Sequence, residues 1–388
     1  MEKKTNDQVD ETDLIAIRKH LHAHPELSGK EYQTAKKIVS FLRQYQPTRI
    51  IEHIGETGVL AEFDFGNDGP TVLFRADTDA LPIQEINEFE HRSIYEKVSH
   101  KCGHDGHTTI LIGLAKQLSE KPFSRGKVIL LFQPAEEIGA GAKAILSDPE
   151  FKGIQPDYVF ALHNLPAYPL HQIVVRKDSF TASVISLTIK LFGKTAHAAE
   201  PEHGINPAIA LADILKHANQ LSNNHPEQTD FSVITPVHME LGSIDFGISA
   251  GYGELRFTLR TWTEDRLQSL CKGFEQTIHT LAKEHGLQTV IERSQHFSAN
   301  QNDSEAVDLI FKAAKNNNLS LLHRPFPFKW GEDFGLFTQH FKGAMFGLGA
   351  GENSPALHNP DYDFPDQILD SGINMFYQIA SEILQQEC

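Results

Sequence analysis

Apolar positions in the first third of the chain switch between two rhythms. Ile15, Ile17 and Leu21, then Ala35, Ile38, Val39, Phe41 and Leu42, recur at helical spacing, with a turn at His24-Pro25-Glu26 between them. Short apolar runs follow at residues 71–74, 128–132 and 158–162, and a helix is expected between the first two, over about 108–118. Continuous apolar strands separated by helices predict a doubly wound, mostly parallel α/β sheet covered on both faces.

The rhythm changes near Ser183. Ile185, Leu187, Ile189 and Leu191 alternate with Ser186, Thr188 and Lys190, as in a half-exposed strand. A helix is expected over 206–221 and a strand over 231–241. Leu255, Phe257 and Leu259 then alternate with Glu254, Arg256, Thr258 and Arg260, before a helix over 264–285 and a strand over 287–293. The order β-α-β-β-α-β is that of a ferredoxin-like α+β unit. Helical spacing at 305–316 returns the chain to its first character. The pattern therefore predicts a catalytic domain made of residues 1–180 and 297–388, with a second domain, 181–296, inserted in it.

A chain of 388 residues is long enough for two cores of ordinary size. Its net charge of −16 argues against nucleic acid or an anionic membrane as the main partner. No stretch approaches the roughly 18 apolar residues of a membrane span. The polar start, Met1 to Asp13, does not read as a secretory signal, so a cytoplasmic protein is expected. Cys102, Cys271 and Cys388 are too few and too scattered for a disulfide framework. A reduced thiol is then available as a metal ligand.

Chemistry gathers in five polar clusters. Arg75-Ala76-Asp77-Thr78-Asp79, Pro134-Ala135-Glu136-Glu137 and His163-Asn164 each follow an apolar run. Leu357-His358-Asn359-Pro360 lies further beyond its run, across a Gly-rich loop, and the run of residues 100–107 around Cys102 and His104 opens a helix. In open α/β sheets, sites form beyond the carboxyl ends of the strands, where one fold can join all five. Thiolate, imidazole and carboxylate suit zinc and neighbouring divalent metals. Cys102 and His104, two apart in an expected extended loop, can point the same way. A helix N-terminus beyond them would favour the thiolate. Of the pair Glu136 and Glu137, one can bind metal while the other takes a proton from the attacking water. Singly each cluster has an ordinary reading: a chance Cys-x-His, a solvated acidic pair, a core histidine. His20, His22 and His24 read as helix-end and turn residues.

With these residues the sequence resembles the aminoacylase and carboxypeptidase-G family of co-catalytic metallohydrolases. Within it, the sequence resembles the N-acyl-amino-acid amidohydrolase branch, which includes hippurate hydrolases and indole-acetyl-amino-acid hydrolases. The likeness runs from His24-Pro25-Glu26-Leu27 through Cys102-Gly103-His104-Asp105-Gly106-His107, Gly193-Lys194-Thr195-Ala196-His197 and Gly331-Glu332-Asp333-Phe334 to Leu357-His358. It implies two divalent ions (Zn, Mn, Co or Ni) bridged by Cys102, with Glu137 and His358 completing one and His104 and His163 the other. It implies Glu136 as general base. It also implies a homodimer formed through the inserted domain, acting as lid and dimerisation unit, in which His197 reaches the partner's site to stabilise an oxyanion. The expected substrate is a small N-acylated amino acid, cut to a carboxylate and a free amino acid.

Two departures matter. The peptidase branches carry His-x-Asp where this chain has Arg75-Ala76-Asp77, which removes a ligand that His104 replaces. That favours the amidohydrolase branch over a carboxypeptidase or dipeptidase on the same fold. Residues 244–253 do not follow the branch's usual approach to Leu259-Arg260-Thr261, which leaves Arg260 as a suggested binder of the substrate carboxylate. Two other classes are weaker. A dead metal-binding or interaction protein would lack a base or ligand, and a cysteine hydrolase using Cys102 would work in the presence of chelator.

Overall fold

The computed structural model describes residues 13–385, so the polar start of the chain and Cys388 lie outside the described residues. The chain divides into two compact units, one of Met1–Phe180, Asn300–Pro325 and Leu336–Cys388, the other of Thr181–Ala299 and Phe326–Gly335. The short segment Phe326–Gly335, expected with the catalytic part, packs with the second unit. There Ala182 donates to the carbonyl of Trp330, and Thr181 forms a bridge with Phe328.

The first unit is built on a sheet whose strands lie in the order Arg49–Ile54, Gly58–Asp64, Lys127–Gln133, Thr71–Asp77, Tyr158–Leu165, Gly343–Gly349, Ile173–Val175, Leu321–His323. The central strands Lys127–Gln133, Thr71–Asp77, Tyr158–Leu165 and Gly343–Gly349 all run parallel. Being covered on both faces, they carry unbroken apolar sequence. Val72 and Phe74 join one core with Ile110, Leu114 and Phe376, while Leu73 and its neighbours Ile129 and Val159 are buried on the other face.

The helix His104–Glu120 begins earlier than the spacing of its apolar residues predicts. It lies in the core, against the helices Leu14–Ala23 and Leu369–Leu384, so polar and apolar positions alike are buried. Gly106 lets Phe364 close over its first turn, where a β-carbon would stand 2.2 Å from the Phe364 ring.

The second unit is an antiparallel sheet in the order Ser232–Leu241, Tyr252–Thr261, Ser183–Phe192, Gln288–Phe297. The helices Ala208–Leu221 and Glu264–Glu284 share one core with Ile185, Leu187, Leu191, Leu255 and Phe257. Numbering its strands along the chain, the spatial order 2-3-1-4 is the ferredoxin-like one. The last strand runs past Arg293 to Phe297, with a register shift between Ser294 and Phe297. No helix of the described residues is long and apolar enough to cross a membrane.

Gly106→Ala should destabilise the first unit by about 1–3 kcal/mol, the usual cost of overpacking a core. Phe364→Leu in the same chain should recover part of it. Denaturant midpoints measure both; a Gly106→Ala midpoint equal to that of the parent chain would contradict this packing account.

Candidate metal centre

All five predicted ligands, with Glu136, lie in the first unit beyond or near the carboxyl ends of its parallel strands. They form two sets that share one member. Cys102, His104 and His163 make one set and Cys102, Glu137 and His358 the other, with the ligating atoms of each set within 4.8 Å of one another. His104, Glu136 and Glu137 meet the same limit, which puts the Glu136 carboxylate at the edge of the same pocket.

The histidines are oriented by main-chain carbonyls. His163 Nδ1 lies 2.9 Å from the carbonyl of Asn164, and His104 Nδ1 lies 2.9 Å from that of Asp79. A carbonyl only accepts, so Nδ1 carries the hydrogen and Nε2 faces the pocket in each. His163 Nε2 stands 3.6 Å from Cys102 Sγ. His104 Nε2 and Glu137 Oε1 are buried without a hydrogen-bond partner. His358 is half-exposed at the rim, with Nε2 3.6 Å from Glu137 Oε1.

The electrostatics of the pocket favour positive charge. Burial pushes the Cys102 thiol well up, and Glu137, Glu136 and Asp77 push it further, so the helix terminus does not by itself make a thiolate. Burial pushes Glu137 up to about 7, against the pull of His104. Burial also works against a charged His104, yet Asp77, Asp79 and Glu137 outweigh it and hold the imidazole at about 10. Burial, then His107, pushes His163 well down, which keeps it a neutral donor. Orphaned donor atoms, an unrelieved thiol and carboxylates around one point fit divalent cations.

Local backbone explains the placement and corrects one expectation. Cys102 and His104 are not on an extended loop. Gly103, at φ 94, turns the chain so that His104 is the first helical residue. A β-carbon there would stand 2.6 Å from Asn164 Oδ1, so the site needs glycine for both conformation and space. Glu136 and Glu137 lie in a turn that follows Ala135 at φ 53. Glu31, a buried residue that sequence reasoning missed, holds that turn by accepting the Ala135 N–H at 2.9 Å and the Thr57 hydroxyl at 2.8 Å. Asp79 accepts the Glu137 N–H at 3.0 Å and the Ser28 hydroxyl at 2.6 Å. Its clustering with Asp77 marked the region but not this function. Asp77, His104 and His107 also meet the 4.8 Å limit. His107 is already committed there, with Nδ1 2.6 Å from Asp77 Oδ1 and Nε2 accepting the Asn164 N–H.

His197 and Arg260 lie in the second unit. His197 is exposed on a two-residue ladder with Ile248, and its Nδ1 accepts the Ala199 N–H at 3.1 Å. That leaves Nε2 as the outward donor. Arg260 is half-buried and donates to the carbonyl of Lys329 at 2.8 Å.

A mostly parallel sheet, an inserted ferredoxin-like unit and two candidate ligand sets sharing a cysteine match the class of two-metal hydrolases. The chain belongs to Peptidase family M20/M25/M40, whose description matches residues 73–382. It is 31% identical to the hippurate hydrolase of Campylobacter jejuni over 380 residues, 95% of this chain and 96% of that protein. It is 30% identical to an N-acetylcysteine deacetylase of Bacillus subtilis, covering 98% of this chain and 99% of the relative. Among solved structures it resembles the Bacillus subtilis YXEP protein, a dinuclear metal binding peptidase from the M20 family. The TM-score is 0.82 at 29% identity, over 97% of this chain and 99% of that one.

Behind the pocket lies a buried ionic network. His22 Nδ1 is 2.8 Å from Asp105 and its Nε2 3.1 Å from Glu85. Arg18 reaches Asp363 and Asp366 at 2.7 Å and Asp105 at 3.5 Å. His22, Asp105 and Asp363 are close enough to hold a metal, but the Arg18 guanidinium already supplies the cation. His91 and His100 complete the surroundings of His22. Burial opposes a charged His22, yet Asp105, then Glu85 and Asp363, raise it from 6.5 to about 9. Below the ordinary value the folded and unfolded chains both hold the proton, and the ion pairs contribute fully. As pH rises through about 9 that contribution is lost. The melting temperature should therefore fall between pH 6.5 and about 9 more steeply in the parent chain than in His22→Gln. Parallel curves across that window would remove His22 from the account.

Proposed function

We propose that the chain hydrolyses the amide bond of small N-acylated amino acids, giving a carboxylate and a free amino acid. The observation that carries this reading is the pair of ligand sets joined at Cys102 with Glu136 beside them. Two relatives are named for hydrolysing hippurate and for deacetylating N-acetylcysteine, both N-acylated amino acids, which supports the substrate class. Cys102 would be shared by two divalent ions, His104 and His163 holding one and Glu137 and His358 the other. Zinc, manganese, cobalt or nickel suits this mixture of thiolate, imidazole and carboxylate. When bound, the ions supply Lewis acidity, polarising the carbonyl and lowering the pKa of water from about 15.7 towards about 7. A thiol that must stay reduced to bind fits a cytoplasmic site of action.

The chain's own residues supply the rest. Glu136 accepts the proton of the attacking water as the C–O bond forms, and returns it to the nitrogen as the C–N bond breaks. His197 donates from Nε2 to the oxyanion of the tetrahedral intermediate. Arg260 pairs with the substrate carboxylate. N-acetyl and N-benzoyl amino acids assayed beside dipeptides test the substrate class; faster cleavage of dipeptides would favour the carboxypeptidase or dipeptidase reading.

A second copy of the chain completes the assembly through the second unit. Its edge strand Ser232–Leu241 exposes Val237, Met239 and Leu241, and the following turn exposes Ile244 and Phe246 fully. An edge strand bearing solvent-exposed apolar side chains is a template for two-fold pairing. In such a dimer the partner subunit's His197 would serve the site of the first.

Glu136→Gln should lower kcat about 10²–10⁴-fold while metal content stays near that of the parent chain. Glu137→Gln should lose metal first. Metal analysis and kcat for both, side by side, decide the roles; if Glu136→Gln loses metal and Glu137→Gln does not, the two must be exchanged.

Sedimentation of the parent chain at micromolar concentration should show a dimer, and Phe246→Glu with Ile244→Asp should release a monomer with reduced kcat. A fully active monomer would end the proposal that His197 acts across subunits.

A further inference from the structure

Three of the ligand-bearing segments are separate in sequence, and one tyrosine touches the supports of all three. Tyr362 is fully buried. Its hydroxyl oxygen accepts from Asn164 Nδ2 at 2.5 Å, next to His163. Its carbonyl accepts from Lys101 Nζ at 2.7 Å, next to Cys102. Lys101 in turn offers its own carbonyl to the His358 N–H at 2.7 Å. So the strand end that carries His163, the loop that carries Cys102 and the loop that carries His358 are joined by hydrogen bonds running through two buried residues.

The tie is closed at both ends. Lys101 is fully buried, and its ammonium also donates to Glu85 Oε1 at 2.6 Å and Asn87 Oδ1 at 3.3 Å. With Tyr362 O, that gives the three donors of a lysine three acceptors. At the other end, the Asn164 carboxamide that Tyr362 holds lies against Gly103, close enough to exclude a β-carbon there. Gly103 is the residue between Cys102 and His104. His358 sits at φ 66, a left-handed conformation uncommon outside glycine, and its N–H to Lys101 is one restraint on it. A long buried ammonium ending on main chain and carboxylate costs desolvation and rotamer freedom, and is retained where a fixed geometry is needed.

We propose that Tyr362 and Lys101 are positioning residues that hold Cys102, His163 and His358 in ligating register before any ion arrives. The proposal rests on the two-metal reading above. Partners that orient ligands typically change metal affinity by about 10–100-fold when removed.

The test is metal affinity, read by competition with a chromophoric chelator for Zn²⁺ and for Mn²⁺, and by the rise in melting temperature on adding each ion. Tyr362→Phe should bind at least one equivalent about 10–100-fold more weakly than the parent chain. Its gain in melting temperature at fixed ion concentration should be correspondingly smaller. Tyr377→Phe is the control, since it also removes one tyrosine hydroxyl bond, to the carbonyl of Lys121, on a remote helix. It should leave affinity unchanged. A second variant, Lys101→Met in a Glu85→Gln chain, cuts the tie without stranding the carboxylate and should weaken binding similarly. Affinity within twofold of the parent in either folded variant overturns the positioning role. A parent chain that binds fewer than two ions at saturation overturns the two-metal reading instead, so the two failures are distinguishable.

Discussion

Burial raises both the Cys102 thiol and the Glu137 carboxylate, and the charge of Glu137 raises Cys102 further. Groups that resist ionising together in a dry pocket are a liability for folding, and a bound cation relieves that cost. The neighbouring atoms agree with that demand. His104 Nε2 and Glu137 Oε1 face the pocket without hydrogen-bond partners, while the opposite sides of His104 and His163 are anchored to carbonyls. The first unit can be understood as a scaffold that keeps these donors together despite their mutual cost.

How it does so is visible in what surrounds them. The donors come from strand ends and loops, but each is backed by a buried polar residue that does no chemistry itself. Glu31 fixes the turn of Glu136 and Glu137, and Asp79 spans Ser28 and Glu137 while its carbonyl orients His104. Asp77 pairs with Arg75 and His107, and Asp105 with His22 and Arg18. Removing one partner of such a pair leaves an uncompensated buried charge, so these residues bind the unit into one cooperative block around the site. The glycines serve the same end. Gly103 and Gly106 leave room for Asn164 and Phe364 to close over the helix start that presents His104.

The second unit has a different economy. Its sheet buries one face under two helices, with an apolar cluster of Ile185, Leu187, Leu255, Phe257, Ile214 and Phe274 between them. Its edge strand leaves apolar side chains in solvent. His197 lies on a short ladder beside the turn that exposes Ile244 and Phe246, so the proposed dimer surface and the proposed oxyanion donor belong to neighbouring segments.

The amino-acid sequence by itself determined the class of the fold. Strand alternation at Ile185, Leu187 and Leu191 and the unbroken runs at residues 71–74 and 128–132 follow directly from which faces are buried, and burial is written in residue type. It also held the identity of the gathered donors, because thiol, imidazole and carboxylate at strand ends are few and sharply clustered. Tertiary structure alone decided how they meet. The sharing of Cys102 between two candidate ligand sets depends on segments far apart in the chain, which no spacing encodes. The left-handed residues Gly103, Ala135 and His358 set the directions of His104, of Glu136 with Glu137, and of the last ligand, and for alanine and histidine no sequence signal announces a positive φ. Phe326–Gly335 joined the second unit for the same kind of reason: its main chain completes the surroundings of Thr181 and Ala182, a pairing between distant segments rather than a local preference.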